Sequence, residues 1–254
     1  MKQDLHRSDA LAGRSLADMA GWHGKLPALG DFASRRLPPA FVEPWDAWLS
    51  GGLQWLREDA PDTWLAAYLD SPVWRFVLMP AVVSPAPTDP GWAGVLMPSV
   101  DRVGRYFPLT IAQPLVAPHS VASPALWHWL ACLDDLAAAA LHGDWDIERL
   151  ERELARLPQP DAEVAAPMPA EAPGSLVCVG AQAQACVLDG MSEPDADPVA
   201  TIAVTAMGAT DWQGLCWWHA EPTDADRRLL ISRGLPAPQA FAQLFGESTT
   251  PSRK

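Results

Sequence analysis

Positive charge is scarce in this sequence: lysine and arginine number 18 against 31 aspartates and glutamates, a formal charge of −13 over 254 residues. That deficit argues against nucleic acid as a ligand, because phosphate binding rests on lysine and arginine displacing counterions. It disfavours acidic lipid surfaces for the same reason. Cysteine is also sparse. Cys132, Cys178, Cys186 and Cys216 stand apart, with no CxxC pair and apolar neighbours, which is the pattern of small buried hydrophobes rather than of a disulfide framework or a zinc site. The first residues, MKQDLHRSDALAGRSLADMAG, alternate charges with apolar side chains and lack the continuous apolar core of a signal peptide, so a cytoplasmic location is expected. The longest charge-free run, Tyr106 to Leu133, is broken by Pro108, Pro114, Pro118 and Pro124 and does not read as a membrane span.

Catalytic signatures are missing as well. There is no GxSxG elbow and no HExxH, and the histidines and cysteines lack zinc-type spacing. Gly24 and Lys25 do not make a phosphate loop, since a P-loop places its glycines before GK[ST] and here Leu26 follows the lysine. His23 and His219 each adjoin a tryptophan and read as packed side chains, while His128 lies between Trp127 and Trp129. Asp134 and Asp135 are helical neighbours pointing about 100° apart, a poor acid/base pair. Glu193, Asp195 and Asp197 lack the glycine and downstream glutamate of a calcium loop and read as a solvated turn. No cofactor or metal is expected.

What is present is abundant core material. Hydrophobic residues make up 49% of the chain and 13 of its residues are tryptophan. A chain this long buries roughly 70 to 75% of its unfolded surface and needs no metal or disulfide to hold a core. Trp45, Trp48, Leu49, Gly52, Trp55 and Leu56 recur at helical spacing and predict a helix over Pro44 to Glu58. Asp62 to Leu69 predicts a second short helix capped by Asp62. Val73 to Met79 reads as a strand covered on both faces, with Trp92 to Met97 and Leu109 to Gln113 pairing to it. Ser123 and Pro124 open a helix that Gly143 closes, and Asp146 to Leu157 is amphipathic. Pro158 to Gly174 holds five prolines in 17 residues and reads as a linker or long surface loop. Beyond it, Leu176 to Val179, Ala185 to Leu188, Thr201 to Thr205, Leu215 to Trp218 and Leu229 to Ser232 are short strand candidates, and Pro238 to Phe245 is a last helix. Trp217 and Trp218, adjacent in a strand, face opposite ways and fit a sheet covered by helices on both sides.

Helices alternating with strands predict the α/β class, with helices on both faces of a mixed sheet that draws on both halves of the chain. The expected organisation is a flexible terminus over residues 1–20, one domain over 21–246 containing the proline-rich segment at 158–174, and a flexible tail over 247–254.

The most distinctive stretch is WAGVLMPSVDRVGRYFPL, Trp92 to Leu109, which sets Asp101, Arg102, Gly104 and Arg105 between two apolar runs. An acid and arginines at a hairpin end fit either a structural staple or an exposed loop whose arginine fork meets a partner's carboxylate or phosphate. Together with GWHGKLPALGDF (Gly21 to Phe32), LPPAFVEPWDAWL (Leu37 to Leu49) and SPVWRFVLM (Ser71 to Met79), this stretch resembles the TagF (ImpM) family of type VI secretion accessory proteins. LCWWH (Leu215 to His219) and SRGLPAPQAFAQLF (Ser232 to Phe245) resemble the closing blocks of that family, whereas the region from Pro158 to Gly214 carries no family motif. The resemblance implies a single three-layer α/β sandwich and a non-enzymatic, post-translational repressor of secretion. It also implies binding to the forkhead-associated (Fha) scaffold, in parallel to control by threonine phosphorylation. Some members are fused to a phosphatase domain, for which this chain is too short.

Charge and backbone access single out the Gly24 to Asp31 turn and the Asp101 to Arg105 loop as the partner-binding site. Lys25, Arg102 and Arg105 are expected to meet an acidic partner surface, with Asp31 and Asp101 orienting them. Two alternatives stay open: an enzyme whose phosphoryl-transfer or hydrolytic site gathers Asp31, Asp101, Arg102 and Arg105 on folding, and a structural subunit of the secretion apparatus.

Overall fold

The computed structural model describes residues 19–84, 90–115, 124–142, 145–157, 183–188, 214–223 and 226–245. The first helix starts where proline permits it. Pro39 sits at the opening turn, whose N–H groups have no helical acceptor, and α1 runs Pro39–Asp59 with Pro44 inside it. It begins a turn earlier than the tryptophan spacing predicts because Phe41 also belongs to the buried face, where it lies against Trp45 and Trp92. The second helix, α2 (Trp64–Leu69), has Thr63 rather than Asp62 at its N-cap position, and no side chain caps it. Helices α3 (Pro124–Ala140) and α4 (Ile147–Arg156) follow the predicted register, and Asp146 caps α4 by accepting from Arg149 N at 2.7 Å. A 3-10 turn, Pro238–Ala240, leads into the short α5 (Phe241–Phe245).

Among the described residues eight strands form one sheet: β1 (Gly21–Gly24), β2 (Ala33–Arg35), β3 (Trp74–Leu78), β4 (Trp92–Met97), β5 (Leu109–Pro114), β6 (Ala183–Leu188), β7 (Leu215–Thr223) and β8 (Asp226–Arg233), ordered β2-β1-β5-β4-β3-β7-β8-β6. The α/β class is as expected. Every described ladder is antiparallel, however, so among the described residues the sheet is antiparallel rather than mixed. Hairpin connections join β1 to β2, β4 to β5 and β7 to β8, and no helix serves as a crossover between hydrogen-bonded parallel neighbours. Strand β5 pairs with β4 and β1 rather than with β3, because β4 occupies that side of β3. The other side of β3 takes β7, with Arg75 opposite His219, so the sheet draws on both halves of the chain.

Alternation along the central strands divides the core in two. Trp74, Phe76 and Leu78 of β3 face the cluster formed by α1, Tyr68 of α2 and α5, while Val77 and Met79 face the cluster that includes α3 and α4. Trp217 joins the second cluster and Trp218 the first, and both are fully buried. His23 and His219 are buried as expected; Met19 and Ala20 are buried too, although the expected flexible terminus runs to residue 20. Indole N–H groups lock the helices to their neighbours: Trp45 donates to Thr110 Oγ1 at 2.8 Å, Trp48 to the Pro236 carbonyl at 2.7 Å and Trp74 to the Leu244 carbonyl at 2.8 Å. On the opposite side, Glu151 of α4 accepts from Trp22 Nε1 and from the Arg36 guanidinium beyond β2.

The linker at Pro158 to Gly174, the strand candidates Leu176 to Val179 and Thr201 to Thr205, the acidic Glu193, Asp195 and Asp197, Cys178, residues 1–18 and the 247–254 tail lie outside the described residues. Among the described residues no helix is long and apolar enough to cross a membrane.

Candidate functional site

The two segments singled out by charge, the β1–β2 connection and the β4–β5 connection, come together at one end of the sheet. Gly24 makes the approach possible. It has φ of +132°, and a Cβ there would lie 2.1 Å from the Pro108 carbonyl oxygen, so no side chain fits. The β4–β5 connection then closes on itself: Asp101 N donates to Arg105 O at 3.1 Å, Gly104 N to Asp101 O at 3.0 Å, and Val100 bridges Tyr106. Gly104, at φ +82°, supplies the left-handed residue that this reversal requires.

Asp101 is the centre of the loop. Its Oδ1 accepts from Val103 N at 3.0 Å and Arg105 N at 2.9 Å, and its Oδ2 accepts from Arg105 Nε at 2.7 Å and faces Lys25 Nζ at 3.3 Å. Burial alone would raise this carboxyl's pKa. The Arg105 amide and guanidinium, the Val103 amide and Lys25 outweigh burial and hold it well below the usual carboxylate range. A permanently ionised, fully donated carboxylate is suited to fixing a loop and poorly suited to exchanging protons.

The two connections are also tied directly. Arg102 N donates to the Leu29 carbonyl at 2.8 Å, an Arg105 terminal nitrogen donates to the Gly30 carbonyl, and the same guanidinium faces Asp31 Oδ1 at 3.6 Å. From below, Ser99 Oγ donates to the Lys25 carbonyl at 2.7 Å, and the Tyr68 phenol both accepts from Ser99 N and donates to Ser99 O. Burial raises the pKa of the Tyr68 hydroxyl and keeps it neutral.

The five residues expected at the site are therefore gathered, but they divide by exposure. Asp101 and Lys25 are inside. The Lys25 side chain is only 5% exposed, with its ammonium turned to Asp101 and capped by the Phe32 ring 4.8 Å away, which corrects the expectation that it meets a partner. Arg102 is exposed, Arg105 is half exposed while anchored at three points, and Asp31 lies out in solvent. Asp101 and Arg105 thus form the structural staple of the loop, and Arg102 stands exposed on it.

Phe32 and Val103 carry no charge and escape a search for charged chemistry, yet they are 46% and 65% exposed; Val103 follows Arg102 in the chain, and Phe32 follows Asp31, which faces Arg105. Phe32 packs edge-on to Phe107 at 4.8 Å and parallel to His23 at 6.2 Å, and His23 Nε2 lies 3.2 Å from Asp46 Oδ1 on α1. An apolar residue inside DRVGR was the available signal for Val103, since a turn residue has no core to fill. Elsewhere, Arg75 Nε donates to Asp134 Oδ2 at 2.9 Å across β3 and α3, a pairing that neither residue's sequence context indicates. No cluster of three or more potential metal ligands occurs among the described residues.

An antiparallel sheet that is not closed, with helices packed on it and a charged end formed by two loops, defines an α/β fold. A sequence model of the TagF N-terminal domain, described as type VI secretion system-associated, matches residues 21–157, more than half of the chain, and the chain belongs to this family. Among solved structures it is similar to PA0076 from Pseudomonas aeruginosa PAO1, with 34% identity over 90% of this chain and 94% of that one and a TM-score of 0.62. No curated protein matches the chain significantly.

Proposed function

We propose that the protein is a non-enzymatic, post-translational repressor of a bacterial type VI secretion system that acts in the cytoplasm by binding the forkhead-associated (Fha) scaffold. Membership of the TagF family supplies the secretion context. The observation that carries the binding mode is the two-loop end, where buried Asp101 fixes Arg105 and the backbone around it and leaves Arg102 displayed. A loop held by five or more internal bonds loses little conformational freedom on binding, so more of its contact energy appears as affinity. The same geometry supports binding over hydrolysis or phosphoryl transfer: Asp101, the only buried carboxylate of the gathered set, has both oxygens occupied by donors.

Calorimetric titration of the purified protein against the Fha scaffold of its own secretion cluster tests the reading, with the scaffold in both phosphorylation states. Saturable binding, with reduced effector secretion when the protein is overproduced in the cell, is the expected result. Heat-silent mixing in both states, or secretion unchanged by overproduction, would remove the proposal.

A further inference from the structure

The surface where the two connections meet combines exposed arginine with exposed apolar side chains. The protein carries −13 overall, yet in the two connections themselves Lys25, Arg102 and Arg105 outnumber Asp31 and Asp101. Lys25 and Arg105 neutralise Asp101. Arg102 makes no ion pair among the described residues; its guanidinium lies over Gly30, 3.6 Å from where a Cβ would stand. The same two connections carry two of the three large hydrophobic side chains that the described residues expose, Phe32 and Val103. The third, Leu69, belongs to α2.

We infer that Phe32, Arg102 and Val103 form the contact ridge of this protein, and that the segment it takes from its partner is acidic and carries an apolar side chain next to its carboxylates. The inference rests on the scaffold-binding reading and specifies which chemistry of the scaffold is recognised. Charge complementarity decides the sign: an exposed guanidinium that makes no ion pair among the described residues selects carboxylates and repels basic segments. The half-exposed ring and the valine supply the desolvated contact that a charge pair alone lacks, and aromatic and arginine side chains are the groups that most often dominate an interface. Arg105 has a different part. It is bound to Asp101 and Gly30 and faces Asp31, so it acts as a positioning residue that holds the ridge in shape.

The test is calorimetry with the Fha scaffold, comparing wild type with Arg102→Glu, Val103→Asp and Arg156→Glu. The last makes the same charge change on α4, at a site paired only with Glu153. Arg102→Glu and Val103→Asp are each expected to weaken binding about tenfold or more, with melting temperatures unchanged, whereas Arg156→Glu binds as wild type. Arg102→Lys recovers part of the affinity, because the charge returns without the fork. Should Val103→Asp lower the melting temperature, Val103→Ser provides the same readout with a smaller change. If wild type binds and the ridge variants bind equally well, or all three charge changes weaken binding alike, the ridge is not the contact and only this inference falls. If wild type does not bind the scaffold at all, the functional reading falls and takes the ridge with it.

Discussion

Lys25 Nζ and an Asp101 carboxylate oxygen meet at 3.3 Å with side-chain exposures of 5% and 0%, although the residues are 76 positions apart and lie on different hairpins. Their partners are unequal. Asp101 keeps three other hydrogen bonds if the lysine is removed, whereas the lysine keeps only the face of Phe32 and the edge of the loop if the aspartate is removed. Stranding a buried charge costs more than deleting one, so Lys25→Met should lower the melting temperature less than Asp101→Asn. The exposed Asp31→Asn should lower it least of the three, and parallel thermal melts check the order.

The depressed Asp101 pKa also fixes a pH dependence. Because the folded value lies below the unfolded one, its contribution to stability is complete above about pH 4, the ordinary carboxyl range, and is lost as pH falls from there toward the folded value. Urea unfolding at fixed temperature should therefore show stability declining below about pH 4, and the decline should be shallower in Asp101→Asn. An identical acid limb in both proteins would mean that other carboxylates set it.

Local signals account for what sequence could tell. Trp92–Met97 reads as a buried strand because six apolar residues lie between turn residues, and the Trp217–Trp218 pair divides between faces because successive strand side chains must. β1 and β2 gave no such signal. GWHG and ASR are short, contain glycine or small residues, and become strands only through pairings such as Gly21 with Ala112, made 91 positions away. Lys25 misled for a related reason: lysines are normally exposed, and only the return of the β4–β5 connection shows that this one is enclosed.

Two adjacent glycines in α1 should respond oppositely to the same substitution. A Cβ on Gly52 would lie 2.1 Å from the Phe241 ring, while one on Gly51 would meet nothing within 4 Å. Gly51→Ala removes only the helix penalty of glycine and should stabilise by up to about 1 kcal/mol. Gly52→Ala gains the same propensity but drives α1 away from α5, and overpacking of this kind should leave it destabilised by about 1 to 2 kcal/mol. Denaturant midpoints of the two variants measured side by side decide it, and stabilisation by both would show that α5 yields freely.

Thiol chemistry separates the two described cysteines. Burial pushes the Cys216 thiol up to about 12, and its Sγ lies 3.0 Å from the Gly234 carbonyl, to which it donates. Cys132 is partly exposed on α3, next to His128. In a Cys178→Ser, Cys186→Ser background, Ellman's reagent should titrate one thiol in the native protein and a second only on unfolding. Rapid reaction of two native thiols would mean that the β7–β8 end of the sheet opens readily.

Tyr68 offers the cleanest deletion beneath the ridge. Its hydroxyl accepts from Ser99 N at 2.9 Å and donates to Ser99 O at 3.0 Å, and the Ser99 side chain in turn holds the Lys25 carbonyl. Tyr68→Phe keeps the ring contacts with Phe245 and Tyr106 but leaves a buried amide and a buried carbonyl without this partner. The expected loss is about 2 kcal/mol, since a stranded Ser99 amide costs more than a neutral bond contributes, while the Ser99 carbonyl still accepts from Phe107 N at 3.1 Å. Urea unfolding with an unchanged m-value would show that the loss comes from the native state. Amide exchange should quicken at Ser99 and across residues 101–105 before it changes in α1, because Ser99 is the point at which the loop is bonded to the helical layer. If exchange in the loop stays slow while stability falls, the phenol supports only the local core, and the loop keeps its shape through Asp101 alone.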